Sequence, residues 1–527
     1  MKIEIKKSGI NGEGIGYVDR QPVFVEGALP SETVEAEIIE KNKTYMTAKT
    51  RQIIHKSKHR CTPKCHIYKQ CKACSLMIAD YELQCQMKEE NLKQSLMKYA
   101  SVSSSLVRPI IKSDQIFHYR NACKIPFGME GKKLVTGMFQ PNSNYFTPIE
   151  ECIVHDKQIE RIRKEILIIL NDYHYKAYDS SVKKGFRTLA IRLLGNHAQV
   201  TLVTGEDVID EECVQRIMKI PSVISLWQSI HTQKKTVEIF GNKMIPLSEK
   251  RFLDFDLKGV HVKLSPRSFF QLNTQQANRL YDIVKEEAGQ VNLLVEAYSG
   301  IGGISFTLRD NAKEIIGIES VKDAVVNANM SAKENRLDHM HFICDDAAYK
   351  LEYLSKHKEI DMLVVDPPRS GLDENMLNVI LRSRIKKIIY ISCNPATLGK
   401  NLAVLKKKYQ VNKVIPLDMF PQTALVETVV VLSKLNTKKH INIELRTDEF
   451  DLTASESKAT YAKIKQYVLE KHGIKVSSLN IAQIKQKCGI KERDNYNLSK
   501  KENVKQPQCT VEKEKAIMDA FRHFQMI

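Results

Sequence analysis

Apolar positions change their spacing several times along the chain, and each change predicts a different kind of element. Up to about residue 55 they come in short strand-like runs, GEGIGYV, PVFVEGAL, TVEAEIIE and YMTAKTRQII, separated by Gly, Pro and polar turns. That alternation predicts a small all-β module, which serves either RNA binding through a basic face or structure alone. Residues 80–100, DYELQCQMKEENLKQSLMKYA, move to helical spacing and predict an amphipathic helix with Cys85 as a packing residue. From about 105 to 250 the pattern is mixed, with strand-like FHYRNACKIPFG, TLAIRLL and AQVTLVTG and a helix around 155–170. From about 265 to 435, strand-like VNLLVEAYSGIGG, EIIGIES, HMHFICDDAA, IDMLVVDPPRSG, KIIYISCNP and ALVETVVVLS appear, with helical stretches between the earlier ones. That is the signature of a doubly wound sheet. Past 437 a capping box, Thr453 to Glu456, precedes a stripe of Tyr461, Ile464 and Val468 ended by Gly473. A second short helix ends at Gly489 and a third runs near 511–524. Such helices make either a helix-turn-helix nucleic-acid reader or a plain helical appendage.

The fold class is therefore α/β. It comprises a small OB-like β-barrel over 1–56, a mixed α+β region over 57–264, a Rossmann-like doubly wound domain over 265–436 and a helical extension over 437–527. Composition adds a partner class. The chain carries 81 Lys and Arg against 62 Asp and Glu, a net charge of +19, which suits a polyanion. No apolar run approaches the roughly 18 residues of a membrane helix, and the N-terminus lacks a signal-peptide apolar region, so a cytoplasmic location is expected. The 12 cysteines are then reduced thiols, and a local cluster of them points to metal and not to disulfides.

Such a cluster lies in RCTPKCHIYKQCKACSL. Cys65, Cys71 and Cys74 stand at C-x5-C-x2-C, and Cys152 recurs downstream in EECIVH. Three clustered thiolates plus one distant suit an iron–sulfur cluster. Cys61 with Cys65, Cys71 and Cys74 would instead make a zinc-ribbon set, and composition does not choose between them. Arg120, Lys124 and Arg187 sit among Phe117, Tyr119, Phe127 and Phe186, an interleaving that suits phosphate pairing and base stacking if these rings are not core.

In the doubly wound domain the turn Tyr298-Ser299-Gly300-Ile301-Gly302-Gly303 lets backbone approach a ligand, and Glu319 ends the next strand 19 residues past Gly300. A carboxylate there accepts ribose hydroxyls. The turn differs from the dinucleotide G-x-G-x-x-G, and Asp366-Pro367-Pro368-Arg369 closes a VVD strand over the same crevice. A cofactor with ribose but no diphosphate, S-adenosylmethionine, explains these parts better than NAD. Cys393, in SCNP, is presented at a strand's carboxyl end, where ligands bind in such sheets. C5 of uracil is a poor nucleophile until a thiolate adds to C6; C5 can then take a sulfonium methyl, and a base must remove the C5 proton to release the thiol. Cys393 supplies the thiol and Glu427, in TALVETVVVL, the base. Asp366 lies at a neighbouring strand end.

These motifs resemble the RNA uracil-5 methyltransferases, which make 5-methyluridine, over nearly all of residues 1–435. The likeness is greatest to the bacterial 23S ribosomal RNA branch, with its N-terminal TRAM barrel and [4Fe–4S] cluster. The resemblance implies Cys393 as nucleophile and Glu427 as base. It implies cluster ligands at Cys65, Cys71, Cys74 and Cys152, leaving Cys61 outside. It implies methyl-donor contacts from Gln271 in RSFFQLN, Tyr298, Glu319, Asp346 in CDDAA and Asp366. A monomer acting on 23S ribosomal RNA is implied; transfer RNA is the alternative substrate, cytosine the alternative base, and a catalytically silent RNA-binding protein the alternative of another class. The chain departs from the family pattern at Glu296 and Ser299, where aspartate and cysteine are usual, and at Gly303, where some members have a donor-contacting asparagine. Leu425 stands for a histidine in the base motif, and Lys72-Ala73 for Gly-Gly in the cluster motif. The last 90 or so residues lie outside the family core.

Overall fold

Alternating side chains in the first 55 residues build strands β1 (Lys2–Glu4), β2 (Lys7–Ser8), β3 (Gly14–Val18), β4 (Gln21–Glu26), β5 (Thr33–Lys41) and β6 (Met46–His55), joined in the order β1-β5-β6-β4-β3-β2. The computed structural model describes residues 1–140, 143–233, 236, 238–435, 461–488 and 510–524. In β5, Val34 and Ala36 are buried with Val23, Val25 and Ala48, while Glu35 and Glu37 face solvent, the period of a half-buried strand. A buried ion pair fastens this module to the cysteine segment. Glu32 accepts from Arg60 Nε at 2.6 Å and Nη2 at 2.7 Å and from the Leu29 and Ser57 amides. Burial opposes its charge, but these donors outweigh it and hold the carboxyl below the usual range.

The one-turn helix α1 (Tyr68–Cys71) lies inside the cysteine segment, and α2 (Tyr81–Ala100) follows, capped by the Asp80 side chain on the Leu83 amide. Cys85 packs in the interior as expected. The same helix also buries Gln84, Lys88, Asn91 and Ser95, a polar stripe that simple amphipathicity would turn outward.

The central region is a seven-stranded sheet of β7 (Ala122–Glu130), β8 (Lys133–Phe139), β9 (Phe146–Pro148), β10 (Phe186–Leu194), β11 (His197–Thr204), β12 (Val223–Ile230) and β13 (Lys243–Pro246), ordered β13-β12-β11-β10-β7-β8-β9. Helices α3 (Lys157–Asp172) and α4 (Glu211–Met218) cover one face, burying Ile162, Ile166 and Ile217 against Ile125, Leu189 and Leu202. The expected basic and aromatic face is rearranged. Phe127 and Phe186 belong to this core, and Tyr119 is buried. The cations instead meet other rings: Arg120 lies over Phe420 and Lys124 over Phe240, both remote in sequence, and Arg187 over Tyr178.

A hairpin of β14 (Leu253–Leu257) and β15 (Val260–Leu264) leads into the doubly wound domain and shares its core. There α5 (Thr274–Ala288), β16 (Val291–Ala297), α6 (Gly303–Thr307), β17 (Ala312–Glu319), α7 (Lys322–Glu334), β18 (Met340–Cys344), α8 (Ala347–His357), β19 (Met362–Val365), α9 (Glu374–Arg382), β20 (Lys387–Ser392), α10 (Pro395–Leu405), β21 (Tyr409–Leu417) and β22 (Glu427–Lys434) alternate. The strands order as β18-β17-β16-β19-β20-β22-β21, parallel through β20 and antiparallel at β22 and β21. Strand β21 is not evident in the apolar pattern. Its polar Gln410, Asn412 and Lys413 interrupt the apolar run, and a register shift falls between Val411 and Lys413.

The chain divides into two compact units, Met1–Asn436 and Thr437–Ile527. In the second, α11 (Tyr461–His472), α12 (Ser478–Lys487) and α13 (Val511–His523) enclose Ile464, Val468, Ile481, Ile484, Ile517 and Phe521. The capping box at 453–456 and the stop at Gly489 lie outside the described residues. A capping box is formed instead by Ser477 and Asn480 at the start of α12. Among the described residues no helix is long and apolar enough to cross a membrane.

Candidate active site

Strand register brings the thiol and the proposed base together. Residues of β20 and β22 pair antiparallel from Lys387↔Ser433 to Ser392↔Thr428, so one further step sets Cys393 opposite Glu427. On the other side β19 runs parallel to β20, with Val365 paired to Tyr390, and Asp366 follows at the strand's carboxyl end. Glu427 is 3% exposed; Asp366 and Cys393 are half-buried. Burial pushes the Cys393 thiol up to about 11, the Glu427 and Asp366 carboxyls push the same way, and the Arg369 guanidinium opposes them. Burial likewise raises Asp366 to about 7, and burial plus the Asp366 charge raises Glu427 well above the carboxylate range. Three acidic groups in one poorly hydrated place resist simultaneous ionisation and hold protons jointly.

The turn bearing Cys393 is set by its neighbours. Ser392 Oγ accepts from the Asn394 amide at 3.2 Å, Asn394 caps α10 through the Ala396 amide, and Pro395 supplies the first helical turn. Asn394 Nδ2 and Thr397 Oγ1 both donate to the Arg369 carbonyl, which ties the thiol's turn to the Asp366–Arg369 segment. Deeper in, Asn401 Oδ1 accepts from the Tyr390 hydroxyl at 2.7 Å and the Leu372 amide at 2.9 Å. Gly371, at φ +80°, packs so closely there that a Cβ would come within 2.6 Å of that oxygen. These bracing residues escaped the sequence analysis; Asn before Pro at a helix start was the available signal for Asn394.

Tyr298, Glu319, Asp346 and Asp366 follow the carboxyl ends of four adjacent strands. Tyr298 adopts φ +64° and Gly300 φ +55°, and a side chain at Gly300 would enter open space, so the turn forms a cradle above the sheet. Glu319 accepts from the Gly300 amide at 3.0 Å and the Val321 amide at 2.8 Å, linking the turn to the second strand. Asp346 caps α8 through the Tyr349 amide. Gln271 comes from elsewhere, the buried loop before α5, where Asn121 Nδ2 holds its carbonyl at 2.8 Å. Both departures in the turn have a structural use. Glu296 accepts from the Ser305 amide at 2.9 Å and from the Ser305 hydroxyl, and burial pushes it up to about 8. Ser299 packs against Gly317, where a Cβ would come within 3.0 Å of its hydroxyl.

Cys65, Cys71, Cys74 and Cys152 line one cavity of about 380 Å³, whereas Cys61 is exposed and lies outside its lining. Among the described residues no group of three or more His, Cys, Asp or Glu side chains is placed to hold a single metal ion. Burial raises Cys65, Cys71 and, to about 12, Cys74. Cys152 goes the other way, because His155 outweighs burial by hydrogen bonding to it. His155 in turn bonds Glu160 at 2.8 Å. Arg120 also lines the cavity, and its Nε is buried with no hydrogen-bond partner.

The doubly wound sheet with its cradle and acidic strand ends defines a nucleoside-binding transferase domain behind an N-terminal β-barrel. The profile of the family described as tRNA (Uracil-5-)-methyltransferase matches residues 80–435, and a TRAM domain matches residues 1–50. The chain belongs to this family of S-adenosylmethionine-dependent RNA uracil-5 methyltransferases. It is 34% identical to an uncharacterized RNA methyltransferase of Bacillus anthracis over 82% of this chain and 96% of that one. A second, from Listeria innocua, is 33% identical over 82% and 97%. Its fold is similar to that of the Pyrococcus abyssi tRNA (uracil-54, C5)-methyltransferase solved with S-adenosyl-L-homocysteine, with TM-score 0.65 and 23% identity, covering 82% of this chain and all of that one.

Proposed function

We propose that the protein methylates C5 of a uridine in 23S ribosomal RNA through a covalent bond between Cys393 and C6, giving 5-methyluridine. The observation that carries this reading is the register that sets Cys393 opposite Glu427 beside Asp366. In the Michaelis complex the Cys393 thiol gives up its proton to solvent water and its sulfur bonds to C6, which places the ring's electrons on C5 and O4. Arg369 favours the thiolate. S-adenosylmethionine, when bound, supplies the electrophilic methyl group. Tyr298, Glu319, Asp346 and Asp366 at the strand ends, with Gln271 from the preceding loop, would hold it, and the cradle at Gly300 fits a ribose with no diphosphate. Glu427 then takes the C5 proton, the C6–S bond breaks, and the thiolate is restored. Burial makes Glu427 a stronger base than an exposed carboxylate. The enzyme would work as a monomer in the cytoplasm.

RNA transcribed with 5-fluorouridine tests the reading, because fluorine at C5 does not leave as a proton. Incubated with the protein and S-adenosylmethionine, ribosomal RNA should yield a stable adduct that mass spectrometry maps to Cys393. Its RNA end identifies the uridine. An adduct on transfer RNA alone would favour the second substrate, which the family description and the Pyrococcus abyssi relative support. Silence on both overturns the covalent reading and leaves an RNA-binding protein or another base.

A [4Fe–4S] cluster held by Cys65, Cys71, Cys74 and Cys152 is proposed as well. Four thiols line one cavity, a donor set of the kind that holds a multi-iron group, and the unpartnered Arg120 Nε offers it a donor. Its role would be to hold the RNA-binding region together. Protein purified without oxygen should contain iron and acid-labile sulfide in equal amounts. Cys152→Ser should lose both, and retention of full iron in that variant would remove Cys152 from the set.

A further inference from the structure

We propose that Lys88 is a positioning residue for the proton-accepting step, acting from α2 on the loop that leads into Glu427. The inference rests on the assignment of Glu427 as the base. Leu417 is the register partner of Glu427, so residues 418–426 form the loop that closes the β21–β22 hairpin at the base itself. The first five carbonyls of this loop are each held by a donor from outside it. Gln276 Nε2 donates to Asp418 O at 2.8 Å, Asn273 Nδ2 to Met419 O at 3.1 Å, Lys88 Nζ to Phe420 O at 3.1 Å, the Tyr119 hydroxyl to Pro421 O at 2.9 Å and the Leu76 amide to Gln422 O at 2.9 Å.

Lys88 also pairs with a carboxylate of the loop itself. Its Nζ lies 2.5 Å from Asp418 Oδ1, and the two side chains are 1% and 0% exposed. The other carboxylate oxygen, Oδ2, is buried without a hydrogen-bond partner, and Lys88 is the one cation paired with this carboxylate among the described residues, while the Asp418 backbone is held by Ile111 and Gln276. One ammonium thus spans the loop from the Asp418 side chain to the Phe420 carbonyl. One turn earlier on the helix, Gln84 exchanges two hydrogen bonds with Gln422, at 2.9 and 3.1 Å. Two members of the polar stripe that α2 buries, Gln84 and Lys88, thus serve this loop, while Asn91 turns to Ser8 and Gly9. Apolar packing would hold helix and hairpin together as well or better, but a charge pair and a reciprocal amide pair admit one register of the loop and not its neighbours. A slide of the loop by about 1 Å would move Glu427 away from the C5 proton while leaving Cys393, just past β20, in place.

Selective slowing of adduct release is therefore the expected signature. With ordinary uridine-containing substrate RNA and S-adenosylmethionine in single turnover, denaturing gels measure the enzyme–RNA adduct as it forms and decays. In Lys88→Met the decay should slow by about 10- to 100-fold and the adduct should accumulate, with KM for RNA and methyl donor within about threefold of wild type. Lys88→Met/Asp418→Leu removes both charges, so no unpaired ion burdens folding, and it should accumulate adduct in the same way. Glu427→Gln is the reference. If Glu427→Gln traps adduct and the Lys88 variants do not, the positioning role is overturned while the base assignment stands. If the double variant releases product like wild type, the role is overturned too. If Glu427→Gln itself traps nothing, the base assignment fails and the inference falls with it.

Discussion

Cys393→Ala should lower turnover by at least about 10⁴-fold, on the scale seen when a covalent nucleophile is deleted, while S-adenosylmethionine affinity stays within about twofold. The two expectations come from different parts of the sheet. Four of the methyl-donor candidates stand at the ends of β16 to β19, whereas Cys393 follows the end of β20. Under the proposed mechanism, deleting the sulfur takes away the group that raises electron density at C5 and disturbs none of the hydrogen bonds of the glycine turn. Single-turnover transfer of labelled methyl to RNA and equilibrium dialysis of the donor would check the two halves. Retained methylation would eliminate covalent catalysis at this thiol. Lost donor affinity would mean that Cys393 serves the crevice and not the uridine. The wild-type rate of adduct formation should also rise with pH, because burial and the two carboxyls hold the thiol up to about 11 and so mostly protonated near neutrality.

Elements with strong local patterning were legible in the sequence, and contacts between distant segments were not. The parallel strands read clearly because runs such as Leu293–Val295 and Met362–Val365 are buried on both faces. The glycine turn read clearly because left-handed backbone at Gly300 and Gly302 demands glycine. Strand β21 did not, since as an antiparallel edge it mixes polar and apolar residues. In α2 the helix was evident but its buried face was misjudged. Gln84 and Lys88 look like solvent-facing residues until Gln422 and Asp418, more than 300 positions away, are placed against them. Phe127 and Phe186 failed as base-stacking candidates for the same reason. Their environment is decided by α3, which packs over the sheet, and not by the arginines beside them in sequence. Cys152 joined the cysteine set as one distant thiol beside three clustered ones, and its place in the cavity depends on a loop that no spacing rule predicts.

Glu427→Gln should convert the enzyme into one that stops after a single methyl transfer. The amide keeps the side chain's size at a site where the residue is 3% exposed, so packing and the approach of Cys393 to C6 are preserved, but it does not accept the C5 proton. The expected result is about one methyl group delivered per enzyme, with the RNA retained on Cys393 in a bond that survives denaturation, and steady-state turnover lower by about 10²- to 10⁴-fold. Wild-type enzyme should approach the same behaviour on acidification. Burial raises the carboxyl's affinity for its proton, so as pH falls through that raised value the base fills and release stalls before the exposed carboxylates titrate. The rate of adduct decay should therefore fall toward low pH in wild type and show no such dependence in Glu427→Gln. If release in the variant kept the wild-type rate and pH profile, another group would have to take the proton, and Asp366, the neighbouring carboxyl held at about 7 by its burial, would be the residue to replace next.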